Sequence, residues 1–373
     1  MNLRSVLADS RFQGECIRPL CHATTDKRSG PVRQEFSPTH GEYRDRVHAI
    51  VTDAAGQLSW QEVPDIEAGV DEVVIKVKAA GINRADLLQA AGLYPAPPGA
   101  SPILGLEVSG AITAVGRDVA DLSVGQQVCA LLAGGGYAQY VAVPAPQVMP
   151  VPAGVNLSDA AALPEAACTV WSNLVMTARL RGGDVILVHG GASGIGTHAI
   201  QVARALGARV VATAGSAAKL ELCTDLGADT VISHRDEDFV ERVHAATGGT
   251  GADVILDIMG ASYLDRNLAA LASDGRLVII GMQGGIKAEL NIASLIGKRL
   301  QVIGTALRAR PLDGPDGKKA IVEEVVASVW PMIAREMVRP VIGARFPIEQ
   351  AAEAHRVLAA GETYGKVLLD VAG

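Results

Sequence analysis

The segment His189-Gly190-Gly191-Ala192-Ser193-Gly194-Ile195-Gly196 has the composition and spacing of a phosphate-binding turn. Glycine permits a tight turn and lets backbone N–H groups approach a pyrophosphate, which the positive end of a following helix favours. Gly194-Ile195-Gly196 with Ala199 also fits G-x-G-x-x-A, a weak pattern alone that gains force between a strand and a helix. The next candidate strand ends Ala212-Thr213-Ala214-Gly215-Ser216-Ala217-Ala218-Lys219. A dinucleotide site selective for NAD usually places Asp or Glu there, on the ribose 2′-hydroxyl. No carboxylate stands at this point, and Gly215, Ser216 and Lys219 can accommodate and pair with a 2′-phosphate. NADPH is therefore the expected cofactor; the plain alternative for Lys219 is a solvated helix lysine.

A turn of this kind needs a buried strand before it and a helix after it, and the patterning supplies both. Val185 to Val188 is an unbroken apolar run, as in a strand covered on both faces, and Thr197 to Leu206 reads as a helix. Further apolar runs at 209–213, 230–232, 254–257 and 276–280 alternate with helical stretches, which specifies a doubly wound parallel sheet over about 161–308. Residues 47–160 differ. Short alternating runs (73–78, 108–115, 127–132, 137–143) separated by Gly, Pro and Asp describe a β-rich, barrel-like domain. After Pro311 come a polar loop, an apolar helix over 320–333 and a last strand at 366–369. The segment 309–373 therefore reads as a return to the first domain. The fold class expected is α/β, a β-rich domain joined to a doubly wound one. Residues 1–46 are polar, without sustained periodicity, and read as a poorly ordered leader.

Composition narrows the function. The chain has 373 residues, 49% of them apolar and 20% charged, which suits two packed domains and excludes a disordered chain. Its net charge of −7 argues against nucleic acid as a partner. Four Phe, three Trp and six Tyr give little material for base stacking. No apolar run approaches the ~20 residues that span a bilayer, and the first residues lack a signal-peptide core. Five cysteines without a C-x-x-C pair fit neither a disulfide frame nor a zinc ribbon. A soluble cytoplasmic protein is expected.

Asn83-Arg84-Ala85-Asp86, Gly105-Leu106-Glu107-Val108-Ser109-Gly110, Leu163-Pro164-Glu165-Ala166-Ala167 and the glycine turn occur in that order. Together they resemble the medium-chain dehydrogenase/reductase superfamily, in particular its zinc-free quinone oxidoreductase branch. Tyr94 to Ser101, Leu131 to Gln139 and Thr213 to Ser216 are similar to the p53-inducible quinone oxidoreductase group. The resemblance covers about 47–373 and implies a GroES-like catalytic domain beside a Rossmann domain. The zinc alcohol dehydrogenases carry Cys where Asn83 stands and His where Leu106 stands. Leucine cannot ligate zinc and an amide is a poor ligand, so no metal is expected.

The resemblance implies roles for single residues. Asn83, Asp86 and Tyr94 would line the substrate site near the nicotinamide, with Tyr94 stacking on a quinone or donating to a developing oxyanion. The structural alternatives are a helix cap for Asn83 and Asp86 and an anchor beside Pro95 for Tyr94. Thr169 would hold the nicotinamide carboxamide, and Ser193 would turn its backbone and hydroxyl to the cofactor. Gly260, Gly281 and Met282 follow later strands at the carboxyl edge. His234 would approach the adenosine phosphate, and Lys366 is the family's cofactor-side lysine or a plain surface lysine. Arg84 is the evident basic residue for a carrier phosphate. The implied activity is NADPH-dependent reduction of a small quinone by a homodimer that pairs through strand 300–305. Reduction of an activated C=C bond in an enal, enone or enoyl thioester is the second enzymatic reading, and a non-catalytic nucleotide-binding protein the third.

Overall fold

The computed structural model describes residues 47–372, and the leader expected at 1–46 lies outside the described residues. A hairpin of β1 (Val47–Thr52) and β2 (Leu58–Val63) precedes the long strand β3 (Glu72–Ile82). Helix α1 (Arg84–Ala90) follows at once, then β4 (Glu107–Val115), β5 (Gln127–Leu131), β6 (Tyr140–Pro144) and β7 (Val148–Pro150). β3 pairs antiparallel with both β4 and β6. Its inward residues Val73, Ile75 and Val77 are buried, whereas Lys76 and Lys78 point outward, the period of two that a one-faced sheet requires.

The chain then crosses on α2 (Pro164–Trp171), with proline at a helix start where its missing N–H costs nothing. Strand β8 (Val185–Val188), α3 (Gly194–Ala205), β9 (Arg209–Ala214), α4 (Ala217–Asp225) and β10 (Thr230–Ser233) form the first half of the parallel sheet. α5 (Phe239–Ala246), β11 (Ala252–Asp257), α6 (Leu264–Ala270), β12 (Leu271–Ile279), α7 (Ile292–Lys298) and β13 (Gln301–Gly304) form the second. The strand order is β10-β9-β8-β11-β12-β13, every pair parallel. All four residues of β8 are buried, because β8 lies mid-sheet with helices on both faces.

Helix α8 (Lys318–Ala334) packs Ile321, Val325 and Val329 into the same core as α2 and α3. The chain rejoins the first sheet with β14 (Ile342–Pro347), α9 (Ala351–Ala360) and β15 (Lys366–Asp370), and α8 before them packs on α2 and against β7, where Trp330 Nε1 donates to the Pro150 carbonyl at 2.7 Å. β15 pairs antiparallel with β3, Val367 opposite Ile82. The seven-stranded sheet runs β14-β15-β3-β4-β5-β7, with β6 also on β3. This register places Lys366, one residue before the first pair, beside the end of β3 and Asn83. Among the described residues no helix is long and apolar enough to cross a membrane.

Candidate active site

β8 delivers the chain into the glycine turn at the carboxyl edge of the parallel sheet. The strand order reverses there, between β8 and β11, the place where ligands of open α/β sheets bind. Gly190 has a φ of +66°, which a side chain would disfavour. A Cβ on Gly196 would be driven into the Gly190 carbonyl and lie 2.7 Å from Gly191 Cα. Ser193 caps α3: its Oγ accepts the Gly196 N–H at 3.0 Å, and its own N–H donates to the Gly190 carbonyl at 2.9 Å. The Ser193 N–H thus closes the turn. The Gly194 N–H is drawn to the Gly365 carbonyl by the bridge between Ser193 and Gly365, whereas the Ile195 N–H, in the first turn of the helix, has no acceptor within it and is left for an anion. The turn therefore fits a pyrophosphate.

At the end of β9, Gly215 stands against two basic side chains. A Cβ there would lie 2.8 Å from His234 Nε2 and 3.3 Å from Arg235 Nε. Both residues are exposed, so they converge over the corner where a ribose phosphate would sit. Ser216 is the N-cap residue of α4. Lys219 is turned elsewhere, donating from Nζ to the Gly361 carbonyl at 2.8 Å. Gly260 and the 281–285 loop meet at the adjoining edge: the Gly284 N–H bonds the Met259 carbonyl at 2.7 Å, and Asp257 accepts the Gly260 N–H at 2.8 Å. Gly281 lies in that loop, and Met282 beside it is exposed. His189 is packing, not chemistry. Its ring is held by Thr213 and Asn267 between Phe239 and Tyr263, and burial lowers its pKa to about 4.

Lys366 joins the turn to the β-rich domain. Its aliphatic stem packs on Gly194, and its Nζ donates to Asn83 Oδ1 at 2.7 Å, to the Ile82 carbonyl at 3.0 Å, and pairs with Glu107. The side chain is buried. Of the sequence-based alternatives the plain surface lysine gives way: the ammonium is drawn inward by a fully buried carboxylate, while the stem lies against the turn. Asn83 is locked at both ends, because its Nδ2 donates to Glu107 Oε1 at 3.0 Å. Glu107 Oε2 accepts the Glu165 N–H at 2.9 Å.

Asp86 is also corrected. It is fully buried and accepts the N–H groups of Asn83 at 2.7 Å and Gly105 at 3.0 Å and the Tyr137 hydroxyl at 3.2 Å. Burial raises its pKa to about 6. Its oxygens are engaged in capping α1 and pinning the Gly105 loop, so it positions the site and does not line it. Tyr94 is half-buried, and its hydroxyl has no partner among the described residues. Arg308 holds it from behind, with its guanidinium carbon 5.3 Å from the ring centroid and Nη1 3.5 Å from the Tyr94 carbonyl. Nε of Arg308 donates to the Ala133 carbonyl at 2.8 Å and Nη2 to Gln89 Oε1 at 2.7 Å. Thr169 lies on α2 four residues after Glu165, so the two share a helix face.

Sequence reading missed Arg308, Lys318 and Glu165. Arg84, the expected basic residue, is exposed, whereas Arg308 and Lys318 are buried. Both lie at the edges of a stretch that reads as polar linker, and the partners of the Arg308 side chain are 175 to 219 residues away in sequence. Glu165 was legible only as part of a motif.

The chain matches two family descriptions, an alcohol dehydrogenase GroES-like domain over residues 69–153 and a zinc-binding dehydrogenase over 194–322. A mycocerosic acid synthase-like polyketide synthase of Mycobacterium tuberculosis is 32% identical over 345 residues, 91% of this chain but 16% of that protein. The chain spans only 9% to 16% of the length of the first such curated relatives. Among solved structures, an NAD-dependent alcohol dehydrogenase is 31% identical with a TM-score of 0.78, covering 87% of this chain and 100% of that one. The Escherichia coli quinone oxidoreductase complexed with NADPH is 29% identical with a TM-score of 0.77, covering 87% and 99%. The parallel sheet with its glycine turn and the β-rich sheet that packs beside it match both descriptions. The chain belongs to the medium-chain dehydrogenase/reductase superfamily.

Zinc, which one of these family descriptions names, does not fit the residues present. The Lys366 ammonium already sits among Asn83 Oδ1, the Ile82 carbonyl and Glu107, and a dication would be repelled there. Leu106 is a buried apolar side chain. Among the described residues no group of three or more His, Cys, Asp or Glu side chains can hold a metal ion.

Proposed function

We propose that the protein is an NADPH-dependent reductase that passes a hydride to a quinone-type acceptor without a metal. The observation that carries this reading is the pairing of an anion-ready glycine turn with a free Tyr94 hydroxyl and an ammonium where a zinc site would be. The bound cofactor supplies the hydride. The chain aligns it through the turn, Thr169 and the 281–285 loop, and Tyr94 donates to the acceptor oxygen on which charge develops. A quinone needs little further activation, because reduction yields a delocalised phenolate. Resemblance to the p53-inducible quinone oxidoreductase group supports the same acceptor class. The second reading, reduction of an activated C=C bond, draws on the polyketide synthase relatives and on the buried cations Arg308 and Lys318 beside the site. Steady-state rates with a panel of quinones, enals and an enoyl thioester, each with and without chelator, test the proposal. Fastest turnover of quinones, untouched by chelator, is expected. Enoyl-thioester rates well above quinone rates would favour the second reading, and no turnover of any acceptor would leave a nucleotide-binding protein.

Discrimination for NADPH should rest on Arg235 more than on Lys219, because Arg235 faces Gly215 while Lys219 is bonded to Gly361. A charge-assisted hydrogen bond contributes roughly 1.5–3 kcal/mol, or about one to two powers of ten in kcat/KM. Arg235→Ala should lose that much with NADPH and almost nothing with NADH, and Lys219→Ala should lose less. Equal losses with both cofactors would refute the assignment.

We also propose a homodimer formed across β13, the terminal strand of the parallel sheet. Val302 on that strand is exposed, and so are Ile286, Leu290, Ile292 and Ile296 just before it. An apolar edge of this kind needs a cover, and a second copy related by a two-fold axis supplies the same edge. Light scattering at micromolar protein should give a dimer, and Val302→Lys should shift it to monomer. A monomeric unmodified protein, or a dimer indifferent to Val302→Lys, would contradict the interface.

A further inference from the structure

Two ionisable side chains near Arg308 have no hydrogen-bond or ion-pair partner among the described residues. Glu165, second residue of α2, uses its backbone N–H on Glu107, while its half-buried carboxyl makes no hydrogen bond or ion pair among the described residues. Lys318, first residue of α8, is only 7% exposed, and its ammonium likewise makes none. α2 and α8 share one core. Glu165 lies within electrostatic reach of Lys318, Arg308, Lys366, Glu107, Asp86 and Tyr94. Arg308 and Lys366 are saturated by other acceptors, as described above, and Asp86 and Glu107 by donors. Only Glu165, Lys318 and the Tyr94 hydroxyl are uncommitted. Holding the Lys318 ammonium out of water without a partner is costly, and with the carboxyl and the hydroxyl it marks a place for polar groups that the described residues do not themselves supply. Thr169 lies on the same helix face as Glu165.

We propose that Glu165 is the acid that protonates the reduced acceptor, with Lys318 as the positioning cation that faces the carboxylate left behind. The proposal deepens the reductase reading and rests on it. Hydride transfer from a reduced nicotinamide brings two electrons and one hydrogen to the acceptor and leaves one negative charge. For a quinone that charge is a phenolate; for an activated alkene it is an enolate. The O–H bond of Glu165 breaks, its proton bonds to that anion, and the electron pair stays on the carboxylate. Water restores the proton through the solvent-facing part of the side chain. The protonation state suits the task. Burial, then the Glu107 carboxylate, push the Glu165 carboxyl up to about 8; Lys366 and Arg308 oppose this and Asp86 adds to it. The group therefore holds its proton in neutral solution, and the helix N-terminus and Lys318 stabilise the anion once the proton has gone.

The test is kcat against pH at saturating NADPH and quinone, together with a ¹³C titration of glutamate carboxyls in the unliganded protein. An acid is active while protonated, so kcat should be flat below about 8 and fall above it. Glu165→Gln should lower the plateau by roughly 10²-fold or more and abolish the alkaline limb, with little change in KM for NADPH. Glu165→Asp should keep a limb, and Lys318→Met should move it to higher pH. The carboxyl resonance lost in Glu165→Gln should titrate near 8 in the unmodified protein and move upward in Lys318→Met. A Glu165→Gln protein that keeps plateau and limb, or a Glu165 resonance titrating near the ordinary value of about 4, overturns the proposal. Thermal melts of each variant separate loss of fold from loss of the acid. If the unmodified protein reduces neither quinones nor enones, the reductase reading fails, and the carboxyl titration alone then decides the proton-holding role of Glu165.

Discussion

Replacing Lys366 by methionine should destabilise the protein by about 3–5 kcal/mol, the usual cost of leaving a buried charge without its partner. The substitution keeps the stem that packs on Gly194 and removes only the ammonium. Glu107, with no exposed surface, would then retain just the Asn83 amide and the Glu165 N–H as donors. Asn83 Oδ1 and the Ile82 carbonyl would lose a donor as well. The effect is read as a lower denaturant midpoint at unchanged slope. The double variant Lys366→Met/Glu107→Gln should recover a large part of the loss, since it removes the charge that the single variant strands. A loss below about 1 kcal/mol for Lys366→Met would show that water reaches Glu107, and the account of a closed ion pair under the turn would fall.

Gly196→Ala should weaken NADPH binding by at least about tenfold. The added methyl group meets the Gly190 carbonyl and Gly191 Cα, so the turn must open or the helix must shift. Inserting a methylene equivalent into a packed site costs typically 1–3 kcal/mol, and tenfold in affinity corresponds to ~1.4 kcal/mol. The strain falls on the segment that presents the Ile195 N–H, which is why binding suffers together with stability. Gly297→Ala is the matched control. It lies in α7 with open space around its Cα, so binding should be unchanged. Calorimetric titration of both variants with NADPH gives the comparison. Equal affinity for Gly196→Ala and the unmodified protein would mean that the turn is not the phosphate site.

The parts of this molecule that were legible in its sequence are those set by local rules. Val185 to Val188 could be read as a doubly covered strand because no polar residue interrupts it, and the glycines after it could be read as a turn because strand and helix patterns flank them. The strand pairing of β15 with β3 was legible as a return and the helix α8 before it as an apolar run, but not the place of that helix against α2 and β7. Side-chain destinations were less readable. Lys366 follows Gly365 at the turn, and nothing within its own segment shows that a buried Glu107 draws its head inward. Asp86 has the spacing of a cap residue, yet its third partner, Tyr137, comes from a loop fifty-one residues on. Arg308 and Lys318 flank a polar stretch that has no periodicity, and only the packing of α8 on α2 brings them to Tyr94 and Glu165.

The central claim is metal-independent hydride transfer from NADPH to a conjugated carbonyl acceptor. It is tested most directly by the rate of NADPH oxidation with a quinone, using cofactor deuterated at one or the other C4 position, in excess chelator. A primary isotope effect is expected for one of the two labels only, with rates unaltered by the chelator. No oxidation of NADPH by any quinone or enone would contradict it, as would a rate that disappears with chelator and returns with zinc.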